Sequence, residues 1–457
     1  MRPDPVSRRA LHLAEQARGT LAPVVAVLSS SLLLCCLVTL LDIVSGWQAL
    51  RGLDDRLPGW SGVALVVAMA AAGISLVLSA RVGPGPPLTL GAMAAVLGLA
   101  LSRDVASGAQ AVLAIVTLGL AVGALFAAGL CVSEELAPAP ARVALFGWLL
   151  PLTGGGGVLG WLALHGRSAD ETDLGVHPPA WGLGLTALVL VVWAMLTLLL
   201  QPRPQREPWR AGWENAWAAL AMLAAGASSI VLLVGFQPEL SSSWARPLVL
   251  LGSAVVLAGF TACGRLLPLV SARPAYVAVV VAFLVGPGCI QAMLLVPART
   301  SGPLSAWVLL ILAAAGVVGA VVGWRTPRVS ASAGLLVTAL AVAGGWVLPT
   351  NQWAMCAAAA PLCVGVAAAG AAGLRLAASS RMALRFVSMA GLGALLLGLL
   401  GAAPLAWSLG VEVTGGAQED FRPGGRVLLG LTFALAVLGA AAVSASHSSA
   451  DERVFRG

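Results

Sequence analysis

Asp42 is the one carboxylate set inside an apolar run, Leu40-Leu41-Asp42-Ile43-Val44. A charge at the centre of a bilayer costs about 2.5–3.5 kcal/mol on insertion scales, so such a residue should face a protein interior or water. A carboxylate held there can load and release a proton, which makes Asp42 the candidate for proton coupling or for recognising a cation. The plainer alternative is a hydrated or capping residue near one end of its helix, and the sequence leaves both open. Gln110 and Gln291 are the intramembrane amides best suited to line a cavity. Their alternative is a hydrogen bond across helices, worth about 1 kcal/mol or less.

Residues 155–160 spell Gly-x-Gly-x-x-Gly. A dinucleotide site would need a preceding strand and an acidic residue about 20 positions later. This run lies instead in an apolar stretch where Pro151, Gly154, Gly155, Gly156, Gly157 and Gly160 suit close helix approach or a hinge. All 26 basic residues are arginine. Without lysine there is no Walker A loop, no Schiff base and no Ser-x-x-Lys nucleophile, which argues against ATP-driven transport by this chain alone. The seven cysteines lie in apolar runs with no Cys-x-x-Cys pair, and the four histidines form no cluster. The sequence therefore offers no metal site, no disulfide framework and no implied cofactor, and it does not read as an enzyme.

The elements that must hold these residues follow from composition. Of 457 residues, 59% are hydrophobic and 10% charged, with a mean hydropathy of +0.94. A soluble domain carries about 25% charged residues, so the chain reads as all-α and polytopic in a membrane. A bilayer core needs about 20 apolar residues per helix. Such runs fall at 21–46, 60–80, 88–102, 108–132, 142–165, 180–200, 214–236, 246–264, 274–297, 304–324, 330–349, 353–374, 384–408 and 426–446, fourteen in all. Pro87 suits the first turn of the short third run. The polar gaps between runs are too short for a soluble domain, so the function must live in the helix bundle.

Charge sets the topology. With both termini inside, 18 of the 26 arginines fall on the inner segments, which sum to about +10, while the outer connections sum to about −2. The net charge of +7 is then a topology record and no sign of a nucleic-acid partner. This predicts a multi-pass protein of a bacterial inner or plasma membrane, with residues 1–20 and 447–457 as cytoplasmic segments. Membrane lipid is its surrounding partner; the oligomeric state is not legible.

Two connections resemble each other. Ser79-Ala80-Arg81-Val82-Gly83-Pro84 precedes Gly91, and Gly323-Trp324-Arg325-Thr326-Pro327-Arg328 precedes Gly334. Both are short, basic and equivalently placed in two six-helix halves, 21–200 and 274–446, with an inserted helix pair at 201–273. Repeated bundles are a frequent transporter plan, with the substrate site between them.

On these features the chain resembles the major facilitator superfamily, in its 14-helix drug:proton antiporter branch. The family's first loop reads roughly Gly-x-Leu-Ala-Asp-Arg-x-Gly-Arg-Arg. Arg81 and Gly83 match, while Leu76, Ala80 and Pro84 depart from it. Leu41-Asp42 resembles the start of the family's first-helix motif, Gln110 falls near its fourth-helix Gln-Gly, and Pro151 to Gly160 loosely matches its Gly-Pro-rich fifth helix. The resemblance implies alternating access. It also implies a gating role for Arg81, Gly83, Arg325 and Arg328, with Glu135 as an acidic partner for Arg81; plain topology-setting charge is the alternative for the arginines.

Three functions are consistent with these features. The first is a secondary transporter exporting a small hydrophobic or amphipathic molecule, with protons as the coupling ion where Asp42 retains that role. The second is a transport-inactive membrane scaffold or partner subunit. The third is a lipid-linked-sugar or multidrug flippase of another 14-helix fold.

Overall fold

The structure, a computed structural model, describes residues 28–30, 32–40 and 43, then 58–102, 108–136, 272–300, 305–346, 351–378, 381–414 and 422–455. The described residues form two groups of helices. The first group holds α1 (Leu28–Leu40), α2 (Pro58–Val82), α3 (Gly85–Leu101) and α4 (Gly108–Leu136). The second holds α5 (Arg273–Thr300), α6 (Ala306–Arg325), α7 (Pro327–Gly345), α8 (Gln352–Ala377), α9 (Arg381–Thr414) and α10 (Arg422–Phe455). Eight of these are long and apolar enough to cross a membrane, and α1 and α3 are shorter apolar helices. Each coincides with a run expected from the sequence. The expected fifth to eighth runs, with the inserted pair, lie outside the described residues.

Local chemistry explains the helix ends. Proline opens α3 and α7, where a missing N–H has no consequence. Asn351 caps α8, its side-chain oxygen accepting from the Trp353 N–H at 2.8 Å. The α2–α3 turn is closed by Gly83 in the left-handed region (φ 94°), whose N–H donates to the Ser79 carbonyl at 2.9 Å. At the matching α6–α7 turn, Thr326 stands eight residues before Gly334, as Gly83 stands eight before Gly91. Its backbone N–H donates to the Val322 carbonyl at 3.0 Å, the same bond that the Gly83 N–H makes to Ser79, and its hydroxyl donates to that carbonyl as well. A Cβ on Gly83 would meet nothing within 4 Å. Gly83→Ala should therefore cost only the backbone strain, about 1–2 kcal/mol, seen as a lowered thermal midpoint with unchanged monodispersity.

The two groups repeat one packing scheme. The fourth helix of each, α4 or α8, packs against the second and third, α2 and α3 or α6 and α7. A Cβ on Gly91 of α3 would come 3.0 Å from the Leu125 nitrogen of α4. One on Gly334 of α7 would come 2.7 Å from the Gly365 carbonyl of α8. These glycines, noticed in sequence only for following similar turns, thus perform the same close approach in both groups. The first helix also meets the fourth through a glycine each time, Ser29 at Gly129 and Ala275 with Val279 at Gly373.

The groups meet where α2 packs on α9. In α9 the membrane window Ala383–Leu400 is 89% buried, against 39% for the windows of α6 and α10, so α9 is the inner helix and those two are peripheral. A continuous apolar core runs from α1 through α2 and α4 into α5 and α9. The third helix of each group turns large apolar side chains outward, Leu90 and Met93 on α3 and Val329 and Leu340 on α7, as a hydrocarbon surround requires.

Candidate functional site

Short turns make neighbouring helices antiparallel, so the α2–α3 turn, the α6–α7 turn and the link from α8 to α9 share one end of the bundle. Arg81, Arg325, Arg328, Arg375, Arg381 and Arg385 all lie towards this basic end. Arg81 ends α2, Arg325 ends α6 and Arg328 opens α7, and all three side chains are exposed. Glu135 lies in the last turn of α4, at the same end as Arg81, with its side chain outside the description.

Two arginines that charge counting treated only as topology are placed more specifically. Arg375, in the last turn of α8, donates from Nη1 to the carbonyl of Trp324 near the end of α6. Its guanidinium also lies 5.2 Å from the centroid of the Trp324 ring. One side chain therefore satisfies an end carbonyl of α6 and stacks on its indole, tying α6 to α8 at the basic end. The pairing of Trp324 with an arginine 51 positions away is visible only in the fold.

Arg385 is the second. It lies in the second turn of α9 and is only 6% exposed, the one buried charge among the described side chains. The next residue, Phe386, meets Tyr276 of α5 with ring centroids 5.8 Å apart. One turn further, Ser388 is fully buried and its Oγ has no hydrogen-bond partner in the protein. Ser79 in the last turn of α2 and Ser29 near the start of α1 bury their hydroxyls in the same partnerless way. A buried polar group left unpaired costs about 1–3 kcal/mol. All three lie towards the basic end, where α1, α2 and α9 begin or finish. No described side chain is acidic.

The expected cavity amides fare differently. Gln110 sits in the first turn of α4, half-buried, and its Nε2 donates to the Leu101 carbonyl at 3.0 Å. This clasp holds the end of α3 to the start of α4, at the end of the bundle opposite the basic one. Gln291 lies on α5 with its side chain outside the described set. Asp42, Pro151, Gly154, Gly155, Gly156, Gly157 and Gly160 lie outside the described residues; Leu40 and Ile43, flanking Asp42, are buried in the core.

No family model matches the sequence, and no curated protein aligns with it significantly. Among solved structures, the xylose transporter XylE from E. coli, partially occluded and inward open, superimposes with TM-score 0.57 at 12% identity, over 92% of this chain and 97% of that one. The major facilitator superfamily proton:xylose symporter XylE bound to 6-bromo-6-deoxy-D-glucose superimposes with TM-score 0.59 at 14% identity, over 93% and 95%. The chain therefore has the fold of major facilitator transporters.

Proposed function

We propose that this chain is a secondary transporter, not an enzyme, that exports a small hydrophobic or amphipathic molecule by alternating access. The observation that carries this reading is the pairing of two helix groups with one packing scheme, meeting where α2 packs on α9. Such a seam can open at one end while it closes at the other, which is what alternating access requires. The fold shared with XylE supports the same mechanism. The scarcity of buried charge suits an apolar or amphipathic cargo rather than a highly charged one.

Within this reading the finer assignments are these. The chain is a 14-helix antiporter-like member of the superfamily, with bundles at 21–200 and 274–446 and a helix pair at 201–273. Asp42 carries the coupling proton, and Gln110 and Gln291 contribute polar contacts near the path. The Pro151 to Gly160 segment is the hinge. Both termini face the cytoplasm of a bacterial cell, where the basic end also lies.

Flux tests the reading. In proteoliposomes with an imposed pH gradient, the chain should move ethidium or 1-anilinonaphthalene-8-sulfonate faster than protein-free vesicles do. Flux equal to that of empty vesicles for both probes would leave a membrane scaffold as the better account.

Arg81 and Glu135 provide a separate check on the gate. If they pair when the basic end is closed, Arg81→Glu and Glu135→Arg should each lower flux several-fold, and the double swap should restore most of it. Coupling of this kind is worth about 0.5–3 kcal/mol in double-mutant cycles. Additive losses would leave Arg81 as topology charge alone.

A further inference from the structure

Two helices of the second group touch at one level and leave a space at another. α7 and α8 approach through Gly334 and Gly365, where a Cβ on Gly365 would come 2.6 Å from the Gly334 carbonyl. From there towards the end opposite the basic one, a cavity of about 410 Å³ lies between them. Val337, Leu340 and Gly344 of α7 and Ala357 and Pro361 of α8 line it, and all five are exposed. Its volume falls within the range of about 300–1,000 Å³ for ligand pockets. The lining residues are aliphatic, glycine or proline, so no side chain there is a hydrogen-bond donor. Pro361 adds a polar feature. In a regular helix the N–H of residue 361 would donate to the Ala357 carbonyl, and proline has no N–H. That carbonyl points along α8 from Ala357 towards Pro361, and both residues line the cavity. In a membrane segment, a carbonyl freed in this way takes a donor from a neighbouring side chain or an ordered water. The cavity walls have no such side chain to give.

We propose that this cavity binds a membrane alcohol, an apolar chain ending in one hydroxyl. The hydroxyl donates to the Ala357 carbonyl, and the chain lies along Leu340 and Val337. Trp346 at the end of α7 and Trp353 in the first turn of α8 are exposed, as interfacial indoles are. The carbonyl therefore lies nearer the membrane surface than Val337 does, which suits a polar end above and a chain below. An ionised carboxylate or phosphate carries acceptors only and would set its lone pairs against those of the carbonyl. The site lies apart from the α2–α9 seam, and it does not depend on the transport reading.

Photolabelling of the full chain in phosphatidylcholine nanodiscs tests this site. A dodecanol carrying a diazirine on its chain should label residues 337–344 and 357–361 saturably, and plain dodecanol should compete. The methyl ether of the probe keeps the chain and loses the donor. It should label these residues about fivefold less, the usual worth of one hydrogen bond. Gly344→Leu should cut labelling by the alcohol severalfold without lowering the thermal midpoint, because a Cβ there meets nothing within 4 Å. Pro361→Ala returns an N–H to the Ala357 carbonyl and should bring the alcohol down to the level of the ether. The exposed Leu90 and Met93 of α3 serve as the reference, where alcohol and ether should label alike. The proposal is overturned if the ether labels the cavity as well as the alcohol does, which would assign it to acyl chains. Labelling no stronger than at α3, a Pro361→Ala protein that keeps the alcohol preference, or a Gly344→Leu protein that labels like the wild type would each overturn it too. Should Pro361→Ala fail to fold, the alcohol–ether contrast and Gly344→Leu still decide.

Discussion

Replacing Asp42 by asparagine should lower flux driven by a pH gradient by about tenfold or more, while flux down a substrate gradient at uniform pH persists. Asparagine keeps the size and the hydrogen-bonding capacity of the side chain but cannot take up or release a proton. A charge in hydrocarbon costs about 2.5–3.5 kcal/mol, so a lone carboxylate kept in an apolar run requires a function or a hydrated position to account for it. The flanking Leu40 and Ile43 are buried in the core that joins α1 to α2, α4 and α9. The measurement is the decay of an imposed pH gradient, read by a pH-sensitive dye inside proteoliposomes, when substrate is added outside. An Asp42→Asn protein that dissipates the gradient at the wild-type rate would remove Asp42 from the mechanism.

The second large effect is structural. On α4, Gly119 and Gly123 press against α2, and a Cβ on Gly123 would fall on the Ala68 carbonyl. On α6, Gly319 and Gly323 press against α8, and a Cβ on either would fall on the carbonyl of Val364 or Ala368. These obstacles are backbone, which cannot rotate away as a side chain can. Gly123→Leu and Gly323→Leu should each destabilise the protein at the upper end of the about 1–3 kcal/mol range for overpacking. The expected readout is lost monodisperse protein in detergent, or a thermal midpoint lowered by several degrees. Gly344→Ala serves as the control, because a Cβ there meets nothing within 4 Å. Equal behaviour of the three variants would contradict the close approach of second and fourth helices.

These glycines also show what a sequence can and cannot carry. Both pairs have the Gly-x-x-x-Gly spacing, yet one lies on the fourth helix of its group and the other on the second. Spacing shows that a helix is built for close approach but names no partner. Hydropathy located ten helices, but it placed several ends short. It reads α9 as 384–408 and α10 as 426–446, whereas the helices cover Arg381–Thr414 and Arg422–Phe455. Apolar runs stop at the bilayer edge, while backbone hydrogen bonds continue into polar residues such as Glu412 and Asp451.

Positive charge was legible as a sum and not as individual roles. Arg325 and Arg328 are exposed, in keeping with a topology signal. Arg375 and Arg385 entered the same sum, but one ties α6 to α8 and the other is buried in α9. Nothing local distinguishes them, because their surroundings come from helices distant in the chain. Gln110 is a similar case. Its apolar neighbours marked it as an intramembrane amide, but its hydrogen bond to the Leu101 carbonyl at the end of α3 is visible only in the fold.

The central claim is that the two helix groups move against each other so that one end closes as the other opens. Paired spin labels test it directly, with Val82→Cys and Val329→Cys at the basic end and Ala109→Cys and Trp353→Cys at the opposite end. All four positions are exposed, and each pair spans the two groups. Measured by pulsed dipolar spectroscopy in nanodiscs at acidic and basic pH, the account predicts opposite changes: the separation at one end grows as that at the other shrinks. Distances at both ends that hold constant across pH, with and without a transported probe, would contradict alternating access and leave a rigid membrane scaffold.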